Sequence, residues 1–250
     1  MDNYIKELIY DGSFEGLFTS IFYAYSIKDK VIITNKKNYI PNMLNQITYV
    51  KTEMDKYTRV YKSIKKKLNN TVLKNIYLTY LSEIDSCENT ILKYLKLCYK
   101  FGTSINLAKN NSTIILIDKY CQKVNIEAER FMQFVRFKEI APLSFYSKIE
   151  PDYNILPLII DHFTERFSDQ NFIIHDLNRE IALVYDKKSY FITHLSKDKS
   201  KEILSLNKDN TFENLFKIFY KSTTIKERIN LKCRDNFMPR RYHKNLTELW

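Results

Sequence analysis

The chain has 250 residues, 44% of them hydrophobic and 14% aromatic, with 40 Lys and Arg against 29 Asp and Glu for a net charge of +11. Length and apolar content suit a globular protein with a substantial core, and no stretch approaches the roughly 20 apolar residues of a membrane span. The opening "MDNYIKELIYDG" lacks the basic start and small-residue cleavage site of a secretory signal, and the scattered cysteines Cys87, Cys98, Cys121 and Cys233 argue against a disulfide framework, so a cytoplasmic location is expected.

"YIKELIY" reads as a strand ended by an Asp11-Gly12 turn. Ser13 is placed to cap a helix in which Phe14, Leu17, Phe18, Ile21, Phe22 and Tyr25 keep helical spacing. "KVIITN" and "QITYVKT" predict two further strands. From about 55 to 137 the pattern is helical. There Asp85 and Glu88 form a capping-box pair, Gly102 is placed to end a helix, and Asn111 or Ser112 opens a long one carrying Ile114, Ile117, Cys121, Val124, Ala128, Met132 and Val135 on one stripe. "SIKKKLNN" is a basic helix end, read chiefly as a solvated face, with nucleic-acid contact as the sharper reading.

After Phe137 strands return. "LSFYSKI" alternates, and Pro142 suggests an edge or a strand start. "PDYNILPLIIDHFTERF" predicts a helix capped near Asn154, with Pro157 tolerated in its first turn. "NFIIHDL", "EIALVYD" and "SYFITHL" predict a meander, and the rest is helical from about Thr211 until "FMPRRYHKNLTELW". The expected fold is α+β: an N-terminal β-α-β-β, a helical middle, and a C-terminal antiparallel meander with flanking helices. It is read as one domain over 1–250 with a helical insertion at about 55–137.

The three glycines, Gly12, Gly16 and Gly102, cannot spell a dinucleotide fingerprint or a P-loop. Paired CxxC elements and the close cysteine triplet of an iron–sulfur site are missing too, so no cofactor and no metal are expected. Only nine of the 40 cations are Arg, and eight of them fall at or after Arg130, which points to the C-terminal half for recognition of phosphate or base edges. "DHFTERFSDQNFIIHD" holds two of the four histidines, His162 and His175, among acids and Arg166. On its helix Leu156, Ile160, Phe163 and Phe167 form the expected buried stripe, flanked by His162 and Arg166 one turn apart. His175 and Asp176 point to opposite faces of their strand, so at most one of them joins the helix residues.

"FVRFKE", then "IEPDYNILPLIIDHFTERFSDQNFIIHDLNREIALVYD", then "FMPRRYHKNL", together with "YDGSFEGLFTSIFYAY", resemble a bacterial family described as probable DNA metabolism proteins, whose core is a domain of unknown function. The match takes in Asp11, Gly12, Phe14, Arg136, Phe137, Pro151, Asp152, His162, Phe163, Arg166, Phe167, Asp176, Arg179, Pro239 and Tyr242, and is weakest over about 28–110. The chain departs from the family pattern at Glu129, where a His is expected, and at His243, where a Trp is expected, so no role is carried to those positions. The resemblance implies a setting beside a radical-SAM iron–sulfur protein that repairs or modifies DNA, or fusion to a uracil-DNA-glycosylase-like domain.

The function expected on these grounds is a DNA-binding accessory protein in DNA repair or modification, meeting damaged, unpaired or single-stranded DNA. Arg136, Arg166, Arg179, Arg240, Arg241 and Lys244 are the expected phosphate contacts, and Tyr242 the base-stacking ring. In this reading the tail around "PRRYHK" folds over the His-bearing helix to make a basic, aromatic-rimmed groove. The alternative is a glycosylase-like or nuclease-like hydrolase with His162 or His175 as general acid or base and Glu165 or Asp176 as carboxylate partner. A scaffold using its basic surface for protein contacts is a third reading.

Overall fold

The strand that comes first in sequence lies in the middle of its sheet. β1 (Ile5–Tyr10) is flanked by β2 (Val31–Asn35) and β3 (Asn45–Tyr49), both parallel to it, in the order β2-β1-β3. The helix α1 (Phe14–Ser26) provides the crossover that a parallel pair requires. Ser13 caps α1 by accepting from the Gly16 amide, as its position predicts. The computed structural model describes residues 5–27, 29–42, 44–207 and 209–249, and they divide into two compact units, Met1–Asn125 and Ile126–Trp250.

In the first unit the sheet is followed by α2 (Met54–Lys67), α3 (Asn70–Leu81) and α4 (Cys87–Phe101). Their buried faces carry Ile64, Val72, Ile76, Ile91, Leu95 and Cys98, and α1 adds Leu17, Phe18 and Ile21. Gly102 ends α4 in the left-handed region, at φ +74°, as expected of a glycine after a helix. The capping box does not form. Ser86, in a left-handed conformation, precedes α4, and the Glu88 carboxylate instead accepts the Tyr10 hydroxyl at 3.0 Å, tying helix to sheet. Asn111 opens α5 (Ser112–Phe134) by accepting from the Thr113 amide, and the boundary between the two units falls inside this helix.

In the second unit β4 (Lys138–Ala141), β5 (Ser144–Ile149), β6 (Asn171–Asp176), β7 (Ile181–Tyr185) and β8 (Tyr190–His194) stand in sequence order in one sheet. β6, β7 and β8 form the expected antiparallel meander. β5 and β6 are parallel, because α6 (Leu156–Arg166) intervenes between them and returns the chain. The hairpin partner β4 was not apparent in the sequence. It turns into β5 through Pro142 and Leu143, the latter at φ +55°. Asn154 does not cap α6: Ile155 occupies the cap position, and the Asn154 Oδ1 atom is buried without a hydrogen-bond partner. α7 (Lys199–Ser205), α8 (Thr211–Thr223), α9 (Leu231–Phe237) and a 3-10 turn at Arg240–Asn245 complete the unit. Its core joins Phe131 and Phe134 of α5 to Ile159 and Phe163 of α6, Phe172 and Ile174 of β6, and Tyr242 and Leu246 of the tail.

Candidate functional site

Two phenylalanines, one three positions before the surface arginine that ends α6 and one immediately after it, set the character of the second unit. Phe163, Arg166 and Phe167 line one wall of a cavity of about 490 Å³ in which Phe137, Phe145 and Phe216 of α8 supply further rings. Phe137 lies 4.7 Å from Phe167 and 5.5 Å from Phe163 between ring centroids, and Phe145 lies 6.0 Å from Phe167. Phe163 is buried and forms the floor, while Phe216 stands partly exposed at the rim. Such spacings give the tilted and edge-on contacts that aromatic quadrupoles favour.

Arg136 and Phe137 also belong to the wall of a second cavity, of about 270 Å³, which Lys138, Lys148 and Lys244 line together with Tyr146 and one acid, Glu213. An aromatic compartment and a cationic one therefore share two residues. Their cations are held differently. Arg136 is fixed bidentately by Glu248, at 2.6 and 3.3 Å, and Lys244 pairs with Glu150. Lys138 donates to the Asn210 side chain at 2.8 Å. Lys148 and Arg166 are exposed and, among the described residues, have no ion-pair partner.

The other residues expected at a site are placed otherwise. His175 is fully buried. Its Nε2 donates to the Leu195 carbonyl at 2.9 Å, and its Nδ1 therefore accepts the Tyr146 hydroxyl at 2.8 Å. Burial pushes its pKa below the usual histidine value. With both nitrogens engaged it has no free lone pair for proton transfer. Asp176, on the opposite face of β6, accepts the Asn178 and Arg179 amides and the Arg179 guanidinium. Burial nonetheless raises its pKa, outweighing the arginine. Arg179 also reaches the Pro151 and Asp152 carbonyls, so it serves as a clamp for the loop before α6 and is not displayed toward solvent.

His162 packs edge-on against Phe163, with its Nε2 atom buried and without a hydrogen-bond partner, and Glu165 is exposed. Among the described residues neither His162 nor His175 pairs with a carboxylate, so the structure does not assemble the expected His–acid machinery.

The tail folds back, but onto α5 and the loop before α6. Tyr242 is 4% exposed, wedged against Phe131 and Phe134 at 5.2 and 5.4 Å. Its ring is part of the core and offers no face to a base, which corrects the stacking role expected of it. Arg241 lies over that ring, bonds the Tyr242 hydroxyl, and pairs with Asp152 and with buried Glu127. Glu127 also accepts the Asp152 and Tyr153 amides. Burial raises its pKa against the pull of those amides and of Arg241. Arg240, with an 84% exposed side chain, makes its side-chain hydrogen bond and ion pair to Asp235.

Arg136, Arg166 and Lys244 are thus the expected contacts that line one or both of the two cavities. Lys138, Lys148, Phe145 and Phe216 were missed. Phe137 and Phe167 stood in the motifs quoted above, and helical spacing assigned Phe167 to the core, although it is only partly buried.

Among the described residues no three His, Cys, Asp or Glu side chains gather as metal ligands, and no helix is long and apolar enough to cross a membrane. No curated protein is detectably similar to the chain. Residues 85–248 match the sequence pattern of DUF4130, a domain of unknown function, and because that match covers more than half of the chain, the protein belongs to this family.

Proposed function

We propose that residues 126–250 hold a single strand of nucleic acid, seating one unpaired base among the phenylalanines and its flanking phosphates on the cations beside them. The observation that carries this reading is the sharing of Arg136 and Phe137 between the aromatic and the lysine-lined cavity. Sequence-tolerant strand binding needs a π-face for the base and positive charge a few ångströms away for the backbone. The volume of the aromatic cavity, about 490 Å³, lies in the range of ligand pockets, about 300–1,000 Å³. By the family resemblance described above, DNA is the polymer, repair or modification in the cytoplasm the setting, and a radical-SAM iron–sulfur protein the partner that performs the chemistry.

Fluorescence anisotropy of a labelled single-stranded oligonucleotide tests the reading. Phe216→Ala removes a rim ring and should weaken binding by about five- to 150-fold, the span of one base–aromatic stack of about 1–3 kcal/mol. A matched duplex, whose bases are already stacked, should be far less affected. Unchanged single-strand affinity in both Phe216→Ala and Arg166→Ala would refute the proposal.

A further inference from the structure

The first unit has an aromatic cavity of its own. About 540 Å³ of space lies among α1, α2 and α4, floored by Ile21 and Leu95 and walled by Phe22, Tyr25, Arg59 and Tyr99. The floor residues are fully buried, whereas Tyr25 is 46% exposed. The Tyr25 and Tyr99 rings meet edge to face at 6.0 Å, and the Tyr99 hydroxyl shares a 2.8 Å hydrogen bond with Ser63. The Arg59 guanidinium sits 5.0 Å over the Phe22 ring and, among the described residues, has no acidic partner. α1 ends at Ser26 in the cavity wall, and the last turn of a helix leaves carbonyl acceptors there.

We propose that this cavity binds a nucleobase that carries a phosphate, with the base against Tyr25 and the phosphate at Arg59. Size alone admits any small ligand, since 540 Å³ is in the middle of the usual range of about 300–1,000 Å³. The lining narrows the choice. Three aromatic rings favour a flat π-system, and the carbonyls of the last turn of α1, which have no partner within the helix, suit the exocyclic amines of a base. An arginine with no ion-pair partner among the described residues calls for an anion, and a planar guanidinium resting on an aromatic ring is well disposed toward phosphate. α2 extends the same charge beyond the cavity, through exposed Lys62, Lys65, Lys66 and Lys67. A neutral apolar ligand would leave Arg59 unused, and an acidic peptide would leave the rings unused.

The site lies wholly within Met1–Asn125 and does not depend on the groove proposed for the second unit. A free nucleotide and a base within a strand present the same chemistry, and the experiment separates them. 2-Aminopurine is quenched when it stacks on an aromatic side chain, so it is offered to the full-length protein both as the riboside monophosphate and inside a single-stranded oligonucleotide. The measurements use a protein carrying Arg166→Ala and Phe216→Ala, which weakens the other groove, and the Arg59 variants are made in that same background. Saturable quenching by the monophosphate assigns the site to a free nucleotide, and quenching by the oligonucleotide alone assigns it to a strand. In either case Tyr25→Ala and Arg59→Ala should each weaken binding by about tenfold, within the range of a single base stack or a charged hydrogen bond, while Tyr25→Phe keeps it. Should Tyr25→Ala fail to fold, Arg59→Gln, at an exposed position, decides alone. The proposal is overturned if neither probe is quenched in this background, if the Arg59 variants bind as tightly as the parent, or if polyglutamate displaces the probe as well as unlabelled nucleotide does.

Discussion

Tyr146 and His175 are joined by a 2.8 Å hydrogen bond across neighbouring parallel strands, and the other nitrogen of the same ring faces the Leu195 carbonyl. Nε2 faces a carbonyl, which only accepts, so Nε2 carries a proton; burial favours the neutral imidazole, whose Nδ1 then accepts a hydrogen bond from the tyrosine hydroxyl. Its folded-state pKa is depressed, so protons bind preferentially to the unfolded chain as pH falls below about 6.5, the ordinary histidine value. The stabilisation is complete above that pH and diminishes below it, by at most about 1.4 kcal/mol per pH unit for one proton. Urea midpoints measured between about pH 7.5 and 5.5 should fall with pH in the parent and change less in His175→Gln. The raised pKa values of Asp176 and Glu127 act with the opposite sign, since folded carboxyls that take up protons early gain stability on acidification. For this reason the comparison is between parent and variant.

Arg179 and Asp176 form a pair with one member fully buried. Removing only the arginine strands a carboxylate in the interior, and such breaks cost about 3–5 kcal/mol. Arg179→Met should therefore destabilise by about that much, and Arg179→Met with Asp176→Asn by clearly less, in a double-mutant cycle read from chemical denaturation. Equal losses in the single and double variants would mean that the Pro151 and Asp152 carbonyls, not the carboxylate, are what Arg179 chiefly serves.

The order of elements was legible because period and punctuation agree locally. Ser13 caps, Gly102 terminates, Asn111 opens a helix, and the short runs broken at Asn178-Arg179 and at Lys187-Lys188 pair as a meander. β4 was hidden because Lys138–Ala141 is short and gains its strand character only from pairing with β5. The clustering of arginines after Arg130 drew attention to the second unit, but sequence spacing does not say which cations face a cavity and which hold the fold together. Arg179 and Arg241 are committed to internal acids, a fact that rests on contacts with Asp176 three residues away and with Glu127 more than a hundred residues away. Tyr242 reads as an exposed aromatic among cations, and only the approach of Phe131 and Phe134 reveals it as core.

That placement makes Tyr242 a test of stability. Tyr242→Ala should empty a core position and cost about 3–5 kcal/mol, whereas Tyr242→Phe loses only the bond from Arg241, worth about 1 kcal/mol. In protein that remains folded, neither change should alter the ratio of single-strand to duplex affinity. Arg240→Ala, at an exposed side chain, should shift the thermal midpoint little, while Arg241→Ala, which uncovers Glu127, should lower it markedly.

The cations of the groove should differ in how they report on salt. Each phosphate neutralised on a single strand releases counterions, and the logarithm of the binding constant falls against the logarithm of salt concentration by about 0.7 per contact. Lys148 and Arg166 have no ion-pair partner among the described residues, so in the free protein their charge is balanced only by solvent ions. Their contacts with phosphate should contribute in full, and Lys148→Ala or Arg166→Ala should flatten the slope by about 0.7 each. Lys244 and Arg136 already face Glu150 and Glu248. A phosphate approaching either must compete with a carboxylate, which reduces the net charge that it neutralises. Lys244→Ala should thus change the slope by clearly less than Lys148→Ala does, and Glu150→Gln, by freeing Lys244, should steepen it. Equal changes for Lys148 and Lys244, measured by anisotropy titrations across a range of salt concentrations, would show that the ion pairs do not govern how the groove meets the backbone.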